Sequence, residues 1–281
     1  MHALRFFLRL FPLVLLACLF ASTTPASAAT SFLAREGDEV LAAEGDLATR
    51  RAPCSTFKIA ISLMGYDAGI LTDETHPVRP YDESLNVAYD MWKQPHDPVM
   101  WMRNSCVWYS QATTRELGME RFKAYVDRLG YGNRDVSGRR GPSGSGGTDD
   151  GLTRSWLSSS LAISPQEEVD FIGRLVRSEL PVSAHAQEMT RRILFVQDMQ
   201  GGWKLYGKTG SGVRLMPDGT RVEDRQIGWF VGWARNGDGR TVLFAHLLED
   251  EDDNPAPAGR RSRDAAIVKV QRLLGIAPAE W

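Results

Sequence analysis

The chain has 281 residues, 43% hydrophobic and 24% charged, the range of an ordinary globular protein and not of a disordered one. Its 33 basic and 35 acidic side chains leave a net charge of -2 with no basic run, so the electrostatic footprint of a nucleic-acid binder is missing. At roughly 150 residues per domain the length allows one or two domains.

Arg5 and Arg9 precede an apolar run over 10–21, and the small residues Pro25-Ala26-Ser27-Ala28 follow it. That order describes a secretory signal peptide, 1–28, cut after Ala28 and leaving 29–281 as one domain. The run is too short for a spanning helix, which needs about 20 apolar residues. Leu15-Leu16-Ala17-Cys18 also resembles a lipoprotein cleavage box, which would instead anchor the chain at Cys18. The expected location is periplasmic, an oxidising compartment, with no membrane span in the mature domain.

Residues 31–41 predict a short hairpin turning at Gly37-Asp38. From Ser55 the chain reads helical, with Phe57, Ile59, Ile61, Leu63 and Met64 running up to Gly65. Pro77, Pro80, Pro95 and Pro98 break any long element between 72 and 100. A helix is predicted over 115–129, and 138–151 reads as a Gly/Ser-rich surface loop. Ser164-Pro165-Gln166-Glu167 opens another helix, with Ser as N-cap, Pro at N1 and Glu167 closing a capping box. Val169, Ile172 and Val176 supply its buried stripe.

After about 203 the period changes to two. Strands over 226–235 and 240–248 flank the turn Asn236-Gly237-Asp238-Gly239. The last helix, 262–274, puts Ile267, Val270 and Leu274 on one face and ends at Gly275. Strands at both ends with helices between them predict an α/β fold. It would be an antiparallel sheet flanked by helices, with an inserted helical lobe. The sheet lobe takes about 29–52 and 195–281, and the helical lobe about 53–194.

Pro53-Cys54-Ser55-Thr56-Phe57-Lys58 places a Ser and a Lys three apart at a helix start, on one face. A helix start favours a developing oxyanion, and a neutral Lys58 could act as base. Alone, the same four residues describe an N-capped helix with a surface Lys. Lys208-Thr209-Gly210, followed by Ser211-Gly212, offers a cation and a hydroxyl on a strand, or simply a strand ending in a glycine turn. Ser105-Cys106-Val107 and Tyr131-Gly132-Asn133 say little singly.

In this order and spacing the four motifs resemble the serine β-lactamases, and Ser105-Cys106-Val107 with Tyr131-Gly132-Asn133 resembles class D, the oxacillinase type. Trp108-Tyr109-Ser110-Gln111, the segment from Trp156 to Ser164 and Gly228-Trp229-Phe230-Val231-Gly232-Trp233 are similar to that family too. The resemblance spans at least 53–233. It implies the fold shared with penicillin-binding-protein transpeptidases and a small-molecule β-lactam substrate. Ser55 would be the nucleophile, and the amides of Ser55 and Ser211 the oxyanion hole. Lys58 would be the base, working as a carbamate formed with CO2. Val107 and Trp156 would wall and anchor that group. Ser105 would pass a proton to the leaving nitrogen. Lys208, Thr209 and Gly210 would bind the substrate carboxylate with an Arg after the last strand, Arg260 fitting best and Arg261 a rival. No other cofactor is implied.

The stretch 139–150 looks longer than the family's usual connection, which leaves substrate range open. Two other occupants of the fold compete. A β-lactam sensor stays acylated, and a small penicillin-binding peptidase would lack the Trp156 position. The five histidines show no ligand spacing, so no metal site is expected.

Cys54 precedes Ser55 and Cys106 follows Ser105. If the two serines meet, the cysteine backbones approach the ~4–7 Å that a disulfide needs. The alternative is two thiols filling the core.

Overall fold

A computed structural model describes residues 28–87, 89–138, 150–216, 218 and 220–276. The expected signal peptide, apart from Ala28, and most of the Gly/Ser-rich stretch lie outside these residues. Six strands form one antiparallel sheet: β1 (Ala28–Glu36), β2 (Glu39–Glu44), β3 (Phe195–Asp198), β4 (Lys204–Leu215), β5 (Arg221–Arg235) and β6 (Thr241–Asp250). Their spatial order is β2-β1-β6-β5-β4-β3, so both chain ends contribute and β5 and β6 lie inside.

Side-chain alternation sorts the core into two layers. Phe32, Phe230, Ala234, Val242 and Phe244 face one side, where α7 (Ala258–Leu273) covers them with Ile267 and Val270. Leu33, Trp229, Val231, Trp233, Leu243 and Ala245 face the other side, under the helical lobe. Strands covered on both faces read as near-continuous apolar runs, as β5 and β6 do here.

The lobe contains α1 (Lys58–Asp67), α2 (Pro98–Asn104), α3 (Val107–Leu129), α4 (Gly151–Arg154), α5 (Pro165–Val176) and α6 (Ala184–Ile193). Helix α1 is buried from Lys58 through Tyr66, on every side, because it runs through the lobe's centre. The capping box of α5 forms as the sequence predicts: Ser164 Oγ accepts from Glu167 N at 3.2 Å, and Glu167 Oε2 accepts from Ser164 N at 3.0 Å. Such a cap stabilises by about 1 kcal/mol. Val169 and Ile172 of its stripe are fully buried, while Val176 lies at the rim.

Several elements differ from expectation. Helix α3 begins at Val107 rather than at 115, and Gly118 interrupts it with a non-helical backbone. Helix α7 begins at Ala258 rather than at 262. The proline-rich segment contains α2, because Asp97 caps it by accepting from Met100 N at 2.7 Å and Pro98 takes the first helical position. Lys208-Thr209-Gly210 does not end its strand, since β4 continues to Leu215 along β5. Among the described residues no helix is long and apolar enough to cross a membrane.

Candidate active site

Three pieces of chain meet at the edge between the layers. The first is a 3-10 turn, Cys54–Phe57, leading into α1. It leaves Ser55 9% exposed and Lys58, one turn on, fully buried. Lys58 Nζ lies 3.0 Å from Ser55 Oγ.

The second piece is the junction between α2 and α3. Ser105 terminates α2 in the left-handed region, with φ 55°, and this brings its side chain round to β4. The third is β4 itself, where Lys208 Nζ lies 3.0 Å from Ser105 Oγ and 3.2 Å from Thr209 Oγ1. Two glycines let β4 press against the turn that carries Ser55. A Cβ on Gly210 would stand 2.8 Å from Pro53 O, and one on Gly212 would overlap Cys54 Sγ. Cys54 and Ser158 also carry positive φ, 52° and 49°. Each such non-glycine residue costs about 1–2 kcal/mol, so the packing around the site must hold the strain.

Burial sets the electrostatics. Desolvation pushes the Lys58 ammonium down to about 8, against the thiols of Cys106 and Cys54, which act the other way. Lys208 is held well below the ordinary lysine range, first by burial and then by the charge of Lys58. Two lysines near one another in a dry pocket favour a neutral amine on at least one of them.

Trp156 is fully buried, its ring 5.6 Å from that of Phe57, and its carbonyl accepts from Cys54 N at 3.0 Å. Its Nε1 has no hydrogen-bond partner among the described residues. A buried donor without an acceptor is rare. Next to the turn that carries Ser55 and Lys58, such an N–H is of the kind that an anionic group on Lys58 would need. Val107 opens α3, half-buried, directly after Cys106.

Ser211 Oγ accepts from Gly259 N at 3.0 Å, which fixes the start of α7 beside β4. Arg260 and Arg261 follow, and they part company there. Arg261 is bidentate on the fully buried Asp250, at 2.8 and 2.5 Å. The Arg260 side chain is 76% exposed and, among the described residues, pairs with Asp264 alone, at 4.0 Å.

Cys54 and Cys106 are both free thiols, so the bridge considered from the sequence is not formed. Cys54 Sγ turns toward Ala52 O, at 3.5 Å, and Ser158 Oγ, at 3.9 Å. Burial pushes both thiols up to about 11, which makes them inert fillers.

Sequence reasoning missed two supports. Ser158 Oγ accepts from Val213 N at 3.0 Å and ties β4 to the Trp156 segment. Thr56, Tyr131 and Glu168 form a buried hydrogen-bonded group behind Ser55. The Tyr131-Gly132-Asn133 motif is structural here: Asn133 Oδ1 accepts from Ala162 N at 3.0 Å, and Asn133 Nδ2 donates to Ser160 O at 2.9 Å.

The penicillin-binding-protein transpeptidase domain family matches residues 28–270. The chain is 39% identical over 233 residues to β-lactamase OXA-9 of Klebsiella pneumoniae, covering 82% of each sequence. It is 38% identical over 226 residues to β-lactamase OXA-1 of Escherichia coli, covering 80% of this chain and 76% of that one. The crystal structure of OXA-427, a class D β-lactamase, superposes with a TM-score of 0.79 at 43% identity, covering 88% of this chain and 98% of the other.

Proposed function

Because the chain belongs to the class D serine β-lactamases, we propose that it hydrolyses the β-lactam amide of penicillins and related antibiotics through an acyl-enzyme on Ser55, and so gives resistance to them. The observation that carries this reading is the 3.0 Å contact between the buried Lys58 amine and the Ser55 hydroxyl. A charged ammonium can only donate to Ser55, whereas a neutral amine has a lone pair to receive its proton. With Lys58 pushed down to about 8, roughly a tenth of it is neutral at pH 7, against well under a thousandth for an ordinary lysine.

Ser55 Oγ then attacks the ring carbonyl, and the amides of Ser55 and Ser211 receive the developing oxyanion. Ser105, accepting from Lys208, gives its own proton to the leaving nitrogen. Lys208 and Thr209 hold the substrate carboxylate at the β4 side of the cleft, with the backbone of Gly210 lining it. Arg260 assists from the first turn of α7. Asp250 already occupies Arg261.

A carbamate on Lys58 is supported by the depressed amine and by the unpartnered Trp156 Nε1. Trp156 and Val107 would hold it. When bound, the group supplies an anionic base in place of the free amine. Export to the periplasm completes the reading, with 1–28 as leader or Cys18 as lipid anchor. Cleavage after Ala28 would remove only the first residue of β1.

Brief exposure to a penicillin should give a covalent adduct that maps to Ser55, and Ser55→Ala should abolish turnover. An adduct elsewhere, or an active Ser55→Ala, overturns the mechanism.

A further inference from the structure

Glu168 is fully buried, with no ion-pair partner among the described residues. Its Oε1 lies 2.8 Å from Thr56 Oγ1 and 2.9 Å from the Tyr131 hydroxyl, and its Oε2 has no partner. Thr56 follows the nucleophile directly, and its Oγ1 also lies 2.8 Å from Pro53 O. The protons there can be counted. A threonine hydroxyl has one proton, and a proline carbonyl can only accept. If Thr56 donates to an ionised Glu168, its contact with Pro53 sets two acceptor oxygens against each other. If Thr56 donates to Pro53, the proton between Thr56 and Glu168 must come from the acid. Only a neutral Glu168 satisfies the whole chain, with Glu168 donating to Thr56, Thr56 to Pro53, and Tyr131 to Glu168.

We propose that Glu168 is a positioning residue that works as a neutral carboxylic acid, locking the turn from Pro53 to Thr56 that aims Ser55, so that its ionisation loosens the turn and slows acylation. The side chain touches no substrate, and the kinetic part of this inference rests on the acyl-enzyme reading above. Burial, with a smaller push from the neighbouring carboxylate Glu167, raises the acid to about 7 against the hydrogen bonds from Thr56 and Tyr131. Glu167 is itself held ionised by Arg50. Tyr131 stays a neutral phenol far above this range, and Cys54, which acts on Tyr131, titrates at about 11. Strands β1, β5 and β6 and helix α6 pack against α5, yet Glu167 is the one charged group acting on the Glu168 carboxyl. Lys58 titrates at about 8 on the far side of Ser55, and its effect is common to any Glu168 variant.

The test is Glu168→Gln: with its amide nitrogen at the Oε1 position it donates one N–H to Thr56, as the acid does, and the other to the Tyr131 oxygen, at every pH. Three readouts serve: the acylation rate with a penicillin, the melting midpoint, and the infrared band of a protonated carboxyl, each followed from about pH 5.5 to 9. The ratio of wild-type to variant acylation rates should be near one at low pH and fall about tenfold or more as the acid ionises. The wild-type midpoint should fall relative to the variant as pH rises from about 5.5 to about 7, where the unfolded chain has already lost the proton that the folded acid keeps, and should run parallel above that; the band should be absent from the variant. Parallel rate profiles, a missing band in the wild type, or a variant that cannot fold at low pH would each overturn the proposal. A chain that no β-lactam acylates would sink the enzymatic reading instead, while the midpoint and the band would still decide the state of Glu168.

Discussion

Replacing Arg261 and Arg260 in turn by alanine should separate a structural arginine from a binding one. Arg261 pairs through both nitrogens with Asp250, whose side chain is fully buried, while its own is 22% exposed. Removing it strands a carboxylate inside the protein. Breaking a buried pair costs about 3–5 kcal/mol, and the partial exposure of Arg261 argues for the lower end. For a domain of this size about 3 kcal/mol corresponds to a melting midpoint roughly 6–12 °C lower. Arg260 holds nothing comparable, so Arg260→Ala should change stability by no more than about 0.5 kcal/mol. If it meets the substrate carboxylate, its loss removes a charge-assisted contact of about 1.5–3 kcal/mol, or roughly ten- to 150-fold in kcat/KM. Thermal melts and steady-state kinetics on the two variants suffice. A stable Arg261→Ala with raised KM, beside an unchanged Arg260→Ala, would refute the assignment.

Other outcomes follow from the pocket around Lys58. Its ammonium is depressed from 10.5 to about 8, so the free amine fraction, and the rate with it, should fall as pH drops below 8. The sign for stability is the same: between 8 and 10.5 the unfolded chain binds the extra proton, so stability rises with pH across that window. CO2-depleted buffer should lower turnover and bicarbonate should restore it, and an unchanged rate would exclude the carbamate. Trp156→Phe keeps an aromatic ring beside Phe57 and loses the unpartnered donor with part of the buried indole, so the melting midpoint should fall modestly while deacylation slows about tenfold or more and acyl-enzyme accumulates. Equal deacylation would remove Trp156 from the role. Titration of the unfolded, unreduced domain should find both Cys54 and Cys106 as free thiols, and finding neither would establish the bridge.

What the sequence made legible was local. Ser164 to Glu167 is four consecutive residues whose chemistry is complete in themselves, and the aromatic and β-branched runs of β5 and β6 flank an Asn/Gly turn. Helix α1 showed no stripe because no side of it faces water. Helix α2 was hidden by the prolines that also start it. Ser55 and Lys58 share one helical turn, so their approach was readable. Ser105 and Lys208 are 103 residues apart, and only the order of family motifs suggested that they meet. The choice between Arg260 and Arg261 depended on Asp250, a residue on another element. In sequence Glu168 is one more acid in the first turn of a helix, where acids are common for reasons of dipole and capping. Its burial against Thr56 and Tyr131 is a tertiary property, and the local pattern carries no trace of it.

The central claim is that Ser55 is acylated by a β-lactam and then released, again and again. The direct test is the number of chromogenic cephalosporin molecules opened per molecule of protein, followed from the first turnover. An enzyme of this class passes rapidly beyond one equivalent and continues until substrate is spent. A chain that opens one equivalent and stops, still carrying the adduct on Ser55, is a receptor on the same fold and contradicts the account.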